Sequence, residues 1–388
     1  MNSERIADFD YHLPEAQIAQ VAIEPRDAAK LLVYTKGGYS DSVFNQLPQQ
    51  LPSNAHLVFN NAKVIQARLF AKTQTHAKIE VFLLKPHTTD YTQALSSTSF
   101  VEWVCMIGNK KKWKVSEPLT IHLGEHAIVL IQKSDNVVRF EWQHQHTFAE
   151  LLEAIGQLPL PPYIKHQPSE HDLGRYQTVF SSIEGSVAAP TAGLHFTIDV
   201  LDQLKNKGFQ SSELTLHVSA GTFLPVKAEQ YRDHDMHNES YELESSTLLA
   251  LKQSCLVAVG TTATRVLESV YWAGIRLLNG EAQFTQIPQF VYELPYTLYA
   301  KDQVIDALLD YMKANGLSKL YGSSAIMIVP GYGFKMVNGL LTNFHQPKST
   351  LLLLISAFIG DDWRKVYAHA LANNYRFLSY GDASLLLP

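Results

Sequence analysis

The residues best able to do chemistry gather in a few polar strings. His234-x-x-His237 followed by Glu239 brings together three groups that can titrate or bind an ion. Histidine changes protonation near neutral pH, and burial can tune a glutamate into the same range. A metal site would need a closed ligand set, and no HExxH or comparable cluster occurs among the 16 histidines. The economical reading is therefore acid–base or hydrogen-bonding work, with no metal. His195 lies in AAPTAGLHF, where small residues, proline and glycine let backbone approach a ligand. His217 alternates with Leu216 and Val218 as a strand residue would. Arg265 and Glu268, three apart on a helical pattern, can pair with each other. Arg175 and Tyr176 read as an exposed pair before QTVF.

Three apolar runs end in glycine-containing turns: TLHVSAGTF at 215–223, VAVGTTATR at 257–265 and MIVPGYGF at 327–334. In an open parallel sheet, ligands bind beyond the carboxyl ends of strands, so these turns are expected to form one pocket rim. Thr261 or Thr262 is expected to cap the next helix, whose amino end would favour a phosphate or carboxylate. No GxGxxG or Walker A string is present. One basic patch stands out, with Lys110, Lys111, Lys112 and Lys114 around Trp113. Lysines neutralise phosphates and an exposed indole stacks on a base, which suits RNA; the competing reading is a solvated hairpin tip.

The elements that must position these groups fall into two textures. From Leu57 to about Trp142, short β-rich runs such as KIEVFLL, VEWVCMI and NVVRFEW alternate with polar turns, the pattern of a small barrel or sandwich. Thr147 then caps a helical TFAELLEAI, and LPLPPYIKHQP makes an extended link. Beyond it, apolar strands (ELTLHVS, LVAVG, AIMIV) alternate with helical segments, the signature of a largely parallel α/β sheet. The segment before Asn60 carries helix signals in LPEAQIAQ and a strand in LLVY. The expectation is an α/β main domain from residues 1–60 plus 147–388, with a small β-barrel domain inserted at 61–146.

Composition sets the outer bounds. The chain has 388 residues, 46% hydrophobic and 18% charged, which suits a globular protein with a sizeable core. A net charge of -5 means that any nucleic-acid contact must come from a local patch. The two cysteines, Cys105 and Cys255, exclude a disulfide scaffold or thiolate zinc site and fit the cytoplasm. TLLLLISAFIG at 350–360 is about half the length that spans a bilayer, so it reads as a buried helix.

Taken in order, FDYHLPEAQIAQ, RDAAKLLVY, VFNNAKVIQARLF, RYQTVF, GSVAAPTAGLHFT, LHVSAGTF, HDMHNE, VGTTATRVLES, PGYGF, TNFHQPKSTLLLLISAFIG and YRFLSYGDASLL resemble the S-adenosylmethionine:tRNA ribosyltransferase-isomerase family, from about Phe9 to Leu387. The resemblance implies a queuosine-pathway enzyme acting on tRNA that carries 7-aminomethyl-7-deazaguanine at the wobble position. It would transfer and isomerise the ribosyl part of S-adenosylmethionine, a co-substrate, giving epoxyqueuosine and releasing adenine and methionine. An α/β domain with an inserted barrel, no cofactor, no metal and a monomer go with it. His195, His237 and Glu239 become the candidates for proton abstraction and for protonating adenine, with base and acid unassigned among them. Arg175, Tyr176, Thr191, Gly193, His217, Thr222, Arg265 and His345 become candidate pocket residues. The alternative is an enzyme of the same fold that cleaves or rearranges an adenosyl sulfonium without RNA. The sequence departs from the family pattern at Ser219, where Gly is common, at Gln66 and Glu184, where Pro is usual, at Asn61 and Asn338, where Asp is usual, and at Gln346, where Leu is usual. Neither asparagine can serve as a general base.

Overall fold

The computed structural model describes residues 4–388 except 89, 125, 144, 220–225, 227 and 253–254. Ten strands form one mixed sheet. Its centre is four neighbouring parallel strands, Gln210–Leu216, Ala55–Asn60, Cys255–Val259 and Val337–Asn343. Such strands are covered on both faces and read as continuous apolar runs; Leu256, Val257, Ala258 and Val259 are accordingly all buried. The flanks turn antiparallel. Glu239–Glu244 and then Lys319–Ser324 follow Gln210–Leu216 on one side. Ala383–Leu387 runs against Val337–Asn343 on the other, followed by Lys30–Thr35, parallel to it, and Gly38–Val43 at the edge. The sheet is thus mixed, with its parallel order concentrated at the centre.

Alternating side chains of the central strands feed two cores. On one face, Leu214, Val58, Ala258 and Leu340 meet the helices Thr261–Leu278, Lys301–Ala314 and Thr350–Ile359. On the other, Leu57, Phe59, Val257, Val259 and Leu341 meet Phe44, Leu47, Phe196, Val200 and Leu204. The helix Thr350–Ile359 is the run TLLLLISAFI, apolar all round and largely buried, as its composition predicts. No helix among the described residues is long and apolar enough to cross a membrane.

A second sheet of six antiparallel strands spans residues 68–142, in the order Arg68–Lys72, Lys78–Pro86, Phe100–Gly108, Val137–Trp142, His126–Gln132, Leu119–Leu123. Its first and last strands approach each other, which nearly closes a barrel. The period-two pattern of Lys78–Pro86 puts Ile79, Val81 and Leu83 inside, all fully buried. Thr147 caps the helix Phe148–Ile155 as expected, and it does so in a capping box with Glu150.

Three elements differ from the expectations. LPEAQIAQ forms only the single 3-10 turn Glu15–Gln17. Backbone bonds from Ala19 to Phe377 and from Phe377 to Gln17 hold this segment extended against the chain's end. AIMIV is extended but lies just beyond the strand Lys319–Ser324, its amides at Ala325 and Met327 bonding to Ile287 and Gln289. Trp113 is not exposed: it is 4% accessible in the barrel core and donates its indole N–H to the Glu117 carbonyl at 2.7 Å. Four lysines made it look like a surface residue, but its ring packs into the barrel core, so the exposed indole expected to stack on a base is absent.

Candidate functional site

The four parallel strands deliver their carboxyl ends to one edge, and a cleft of about 790 Å³ including its mouth opens there. Its walls are the segment 188–192, the joint Gly260–Thr261–Thr262, the segment 342–346 and the start of the helix Thr350–Ile359. Hydroxyls dominate the polar lining: Tyr163, Thr191, Thr261, Thr262, Thr342, Ser349 and Ser379. Two helices begin at this cleft. The joint after Val259 needs glycine because Gly260 sits at φ +92°. Gly260 itself, and neither threonine, occupies the N-cap, with no side-chain cap; its carbonyl accepts the Thr264 amide at 3.2 Å. The first amides of that helix have no partners within the helix and carry its positive dipole end. The buried Thr262 hydroxyl has no partner among the described atoms. The second helix is capped by Ser349, which accepts from the Leu352 amide at 3.2 Å. Such a wall favours a small polar ligand carrying a carboxylate or ribose hydroxyls.

Asn343 organises the base of the cleft. Its side-chain oxygen accepts from the Thr191 hydroxyl at 2.9 Å, which leaves its amide to donate to His195 Nε2 at 3.2 Å. His195 is 4% exposed, packs its ring on Phe44 at 5.0 Å and does not line the cleft. Burial, helped by Arg376, Arg175 and Arg26, pushes its pKa down to about 3, so it is neutral and accepts at Nε2. His195 thus sits behind Asn343, which its ring faces, and not on the cleft wall where the expectation put it. His345 lines the cleft, bonded through Nε2 to the Thr342 hydroxyl at 2.9 Å, and burial likewise lowers its pKa to about 3.

A second lobe adjoins the first, sharing Thr350 and Leu351, and is lined by His234, Met236, His237, Glu239, Arg265 and the segment 326–328. Glu239 is buried here. One carboxylate oxygen accepts the Ser219 amide at 2.9 Å, and the other pairs with the Arg265 guanidinium. Arg265 also donates to the Ile326 carbonyl at 3.3 Å. His237 is exposed at the mouth. Among the described residues, no group of three or more His, Cys, Asp or Glu is arranged to hold a metal ion.

The expected Arg265–Glu268 pair does not form. Glu268 is fully buried and accepts four hydrogen bonds, from the Tyr332 hydroxyl at 2.6 Å and from the amides of Lys335, Met336 and Val337 at 2.9, 2.9 and 3.1 Å. It therefore clamps the PGYGF turn into the fold; residues 330–334 line neither lobe, whereas Met327 and Ile328 of the same run line the second.

Other expected pocket residues sit elsewhere. Tyr176 is wholly buried with Ala189, Leu194 and Tyr380, and Arg175 bonds to the Ile23 carbonyl and Glu24; neither lines the cleft, and neither is surface in the way the sequence suggested. Gly193 is a packing glycine: a Cβ there would lie 2.7 Å from Phe180 and 2.8 Å from Thr178. His217 points away from the lobes and stacks on Tyr91 at 3.9 Å and 16°, its pKa lowered to about 4 by burial. Thr222 lies outside the described residues. Sequence reasoning missed Asn343, Thr342, Ser349 and Ser379, although their strings, TNFHQPKST and FLSYGDAS, were among those that carry the family resemblance.

Comparison with known proteins bears on the whole chain. It matches the family described as queuosine biosynthesis protein over residues 6–386. A protein of Magnetococcus marinus named S-adenosylmethionine:tRNA ribosyltransferase-isomerase is 38% identical, the match covering 99% of this chain and 94% of that protein. Proteins of the same name from Desulfitobacterium hafniense and Treponema denticola are 36% and 35% identical, covering 99% and 98% of this chain and 100% and 99% of theirs. A crystal structure of S-adenosylmethionine tRNA ribosyltransferase from Thermotoga maritima is 27% identical, covering 98% of this chain and 100% of that one, with a TM-score of 0.47.

Proposed function

The chain belongs to the S-adenosylmethionine:tRNA ribosyltransferase-isomerase family of queuosine biosynthesis, and we propose that it moves and isomerises the ribosyl part of S-adenosylmethionine onto 7-aminomethyl-7-deazaguanine at the wobble position of tRNA. The products are epoxyqueuosine in the RNA, adenine and methionine. The observation that carries the reading is the two-lobed cleft, in which a hydroxyl-lined wall with two helix starts meets a lobe containing Glu239, Arg265 and His237. The first lobe suits the ribose hydroxyls and carboxylate of S-adenosylmethionine. The second supplies the titratable groups.

The chemistry needs two proton transfers. A base removes a proton from the carbon next to the sulfonium, whose positive charge stabilises the resulting carbanion, and the departing adenine takes a proton. Glu239 and His237 share these transfers; Arg265 and the Ser219 amide hold the carboxylate in place. His195, through Asn343, fixes Thr191 on the opposite wall. The sulfonium provides the charge that a metal or other cofactor would otherwise supply, so the reaction proceeds without either. Residues 61–146 act as an inserted β-barrel domain, and the enzyme works as a cytoplasmic monomer.

The test is incubation with S-adenosylmethionine and an anticodon stem-loop bearing 7-aminomethyl-7-deazaguanine, followed by mass spectrometry of the RNA and assay of free adenine. Both products are expected. Adenine release that needs no RNA would favour a sulfonium-cleaving enzyme of the same fold.

A further inference from the structure

Charge on this protein is segregated. The barrel end remote from the ten-stranded sheet is built from three turns, residues 72–78, 108–117 and 133–136, which carry seven lysines and two carboxylates. That end is therefore +5 within a chain of net charge -5, and everything else sums to -10. The turns are stitched together. Asn109 donates from its side chain to the Lys78 carbonyl at 3.0 Å, the Gln74 amide donates to Glu117 at 2.7 Å, and the Cys105 amide donates to the Asn136 carbonyl at 2.7 Å. Both carboxylates are thereby engaged, since Asp135 pairs with Lys110. Lys72, Lys78, Lys111, Lys112, Lys114 and Lys133 are all exposed, and holding six like charges on one fixed surface costs self-repulsion that a polyanion relieves.

We propose that this lysine cap grips the phosphate backbone of the tRNA at a distance from the modified nucleotide. The inference rests on the tRNA reading above. It differs from the stretch of lysines around Trp113 in two ways: folding adds Lys72, Lys78 and Lys133 from other turns, and burial removes the indole, so the interaction is purely electrostatic. The cap is also remote. The strand Lys78–Pro86 runs from it to the ten-stranded sheet, about 25 Å for nine residues. That length is about three screening lengths at physiological salt, about 8 Å each, and it sets the cap apart from the sheet that carries the cleft. Its charges therefore act on RNA binding and leave the S-adenosylmethionine site alone.

The geometry makes the grip depend on RNA length. Full-length tRNA reaches the cap while its wobble base is in the cleft, whereas a loop with a two-base-pair stem does not. The experiment is a salt titration of binding, by fluorescence anisotropy, for both RNAs with the wild type and with Lys111→Ala/Lys112→Ala/Lys133→Ala. Every phosphate that a lysine no longer neutralises should lower the slope of log affinity against log salt by about 0.7–0.9. The triple variant should thus lose about two to three units of slope and roughly 30-fold or more in full-length tRNA affinity near 0.15 M salt. Its short-RNA affinity, S-adenosylmethionine affinity and thermal midpoint should match the wild type, and the corresponding triple Arg variant should restore the slope. Wild-type slope for full-length tRNA in the triple Ala variant overturns the proposal, as does an equal loss for both RNAs. Loss of binding to anionic phosphatidylserine vesicles with tRNA binding intact would also overturn it and assign the cap to membranes. An enzyme that turns over tRNA with an indifferent cap refutes the cap alone, whereas absence of turnover in the wild type refutes the functional reading.

Discussion

Replacing Glu239 by Gln separates a catalytic carboxylate from one that only neutralises Arg265. The Arg265 and Glu239 side chains are 9% and 2% exposed, so neither charge is relieved by water. The amide of the substituted side chain would still accept one hydrogen bond but would leave a buried guanidinium without its counter-charge, a change that costs about 3–5 kcal/mol. The double variant Glu239→Gln/Arg265→Met removes both charges and should recover most of that stability, which a double-mutant cycle in urea measures directly. Turnover should behave differently. Loss of a general base lowers the chemical step by roughly a hundredfold or more, and removing Arg265 as well cannot replace a missing base. Single-turnover rates at saturating substrates should therefore fall in Glu239→Gln and stay low in the double variant. Recovery of rate together with stability would refute the catalytic assignment, leaving Glu239 as the counter-ion of Arg265; an unchanged rate in the single variant would refute it outright.

Four shorter expectations follow from the same geometry. Turnover should survive exhaustive chelation; loss with EDTA, restored by one divalent ion, would show that a metal takes part. Stability should fall as pH drops below about 7.5, because His195, His217 and His345 have folded pKa values near 3, 4 and 3 and the unfolded chain takes up the protons. Their contribution is complete only above about pH 7.5, and about 1.4 kcal/mol per histidine is lost by pH 5.5; thermal midpoints of single His→Gln variants, with flatter pH dependence than the wild type, check this. His195→Gln should weaken S-adenosylmethionine binding through a displaced Asn343, read as a raised KM and Kd, with the pH profile of kcat unmoved. Trp113→Ala should destabilise the protein by about 3 kcal/mol, as for other large core truncations, while the salt slope of tRNA binding stays within error.

Much of the architecture was legible because it is periodic. Alternation in KIEVFLL could only suit a one-sided sheet, LVAVG only a strand covered on both faces, and TLLLLISAFI only a buried helix. The flanking antiparallel strands were not legible, since strand direction depends on connections and not on local pattern. LPEAQIAQ failed for the opposite reason: its local helix signal was outweighed by ladder-like bonds to Phe377, more than three hundred residues away. At the site, titratable side chains drew notice while hydroxyls and amides did not. Thr342, Ser349 and Ser379 are individually uninformative, and only the sheet's geometry gathers them on one cleft. His195 was recognisable as special, but the sequence could not reveal that Asn343 stands between it and the cleft.

The departures from the family pattern acquire physical meaning from their surroundings. Asn61 accepts from the Thr215 hydroxyl at 2.7 Å and donates to Glu213 at 2.9 Å, and Asn338 accepts the Leu256 amide at 3.0 Å. Neither lines a lobe of the cleft. At both positions the acceptor oxygen that an aspartate would offer is retained, and at Asn61 the amide group adds a bond to Glu213 where an aspartate would set two carboxylates against each other. Neither position, then, removes a base from the reaction. Ser219 is closer to the chemistry, but what it gives Glu239 is its backbone amide, which glycine would give equally. Its side-chain hydroxyl is buried without a partner among the described atoms, so a Ser219→Gly change should leave the Glu239 carboxylate held as before. Gln346 alone of the six lines the first lobe of the cleft. Where leucine would present only apolar surface, glutamine adds a donor and an acceptor beside Asn343 and His345. Of all the departures, it is the one placed on the lobe proposed for S-adenosylmethionine, and on that reading Gln346→Leu should change the Kd for S-adenosylmethionine while Ser219→Gly does not.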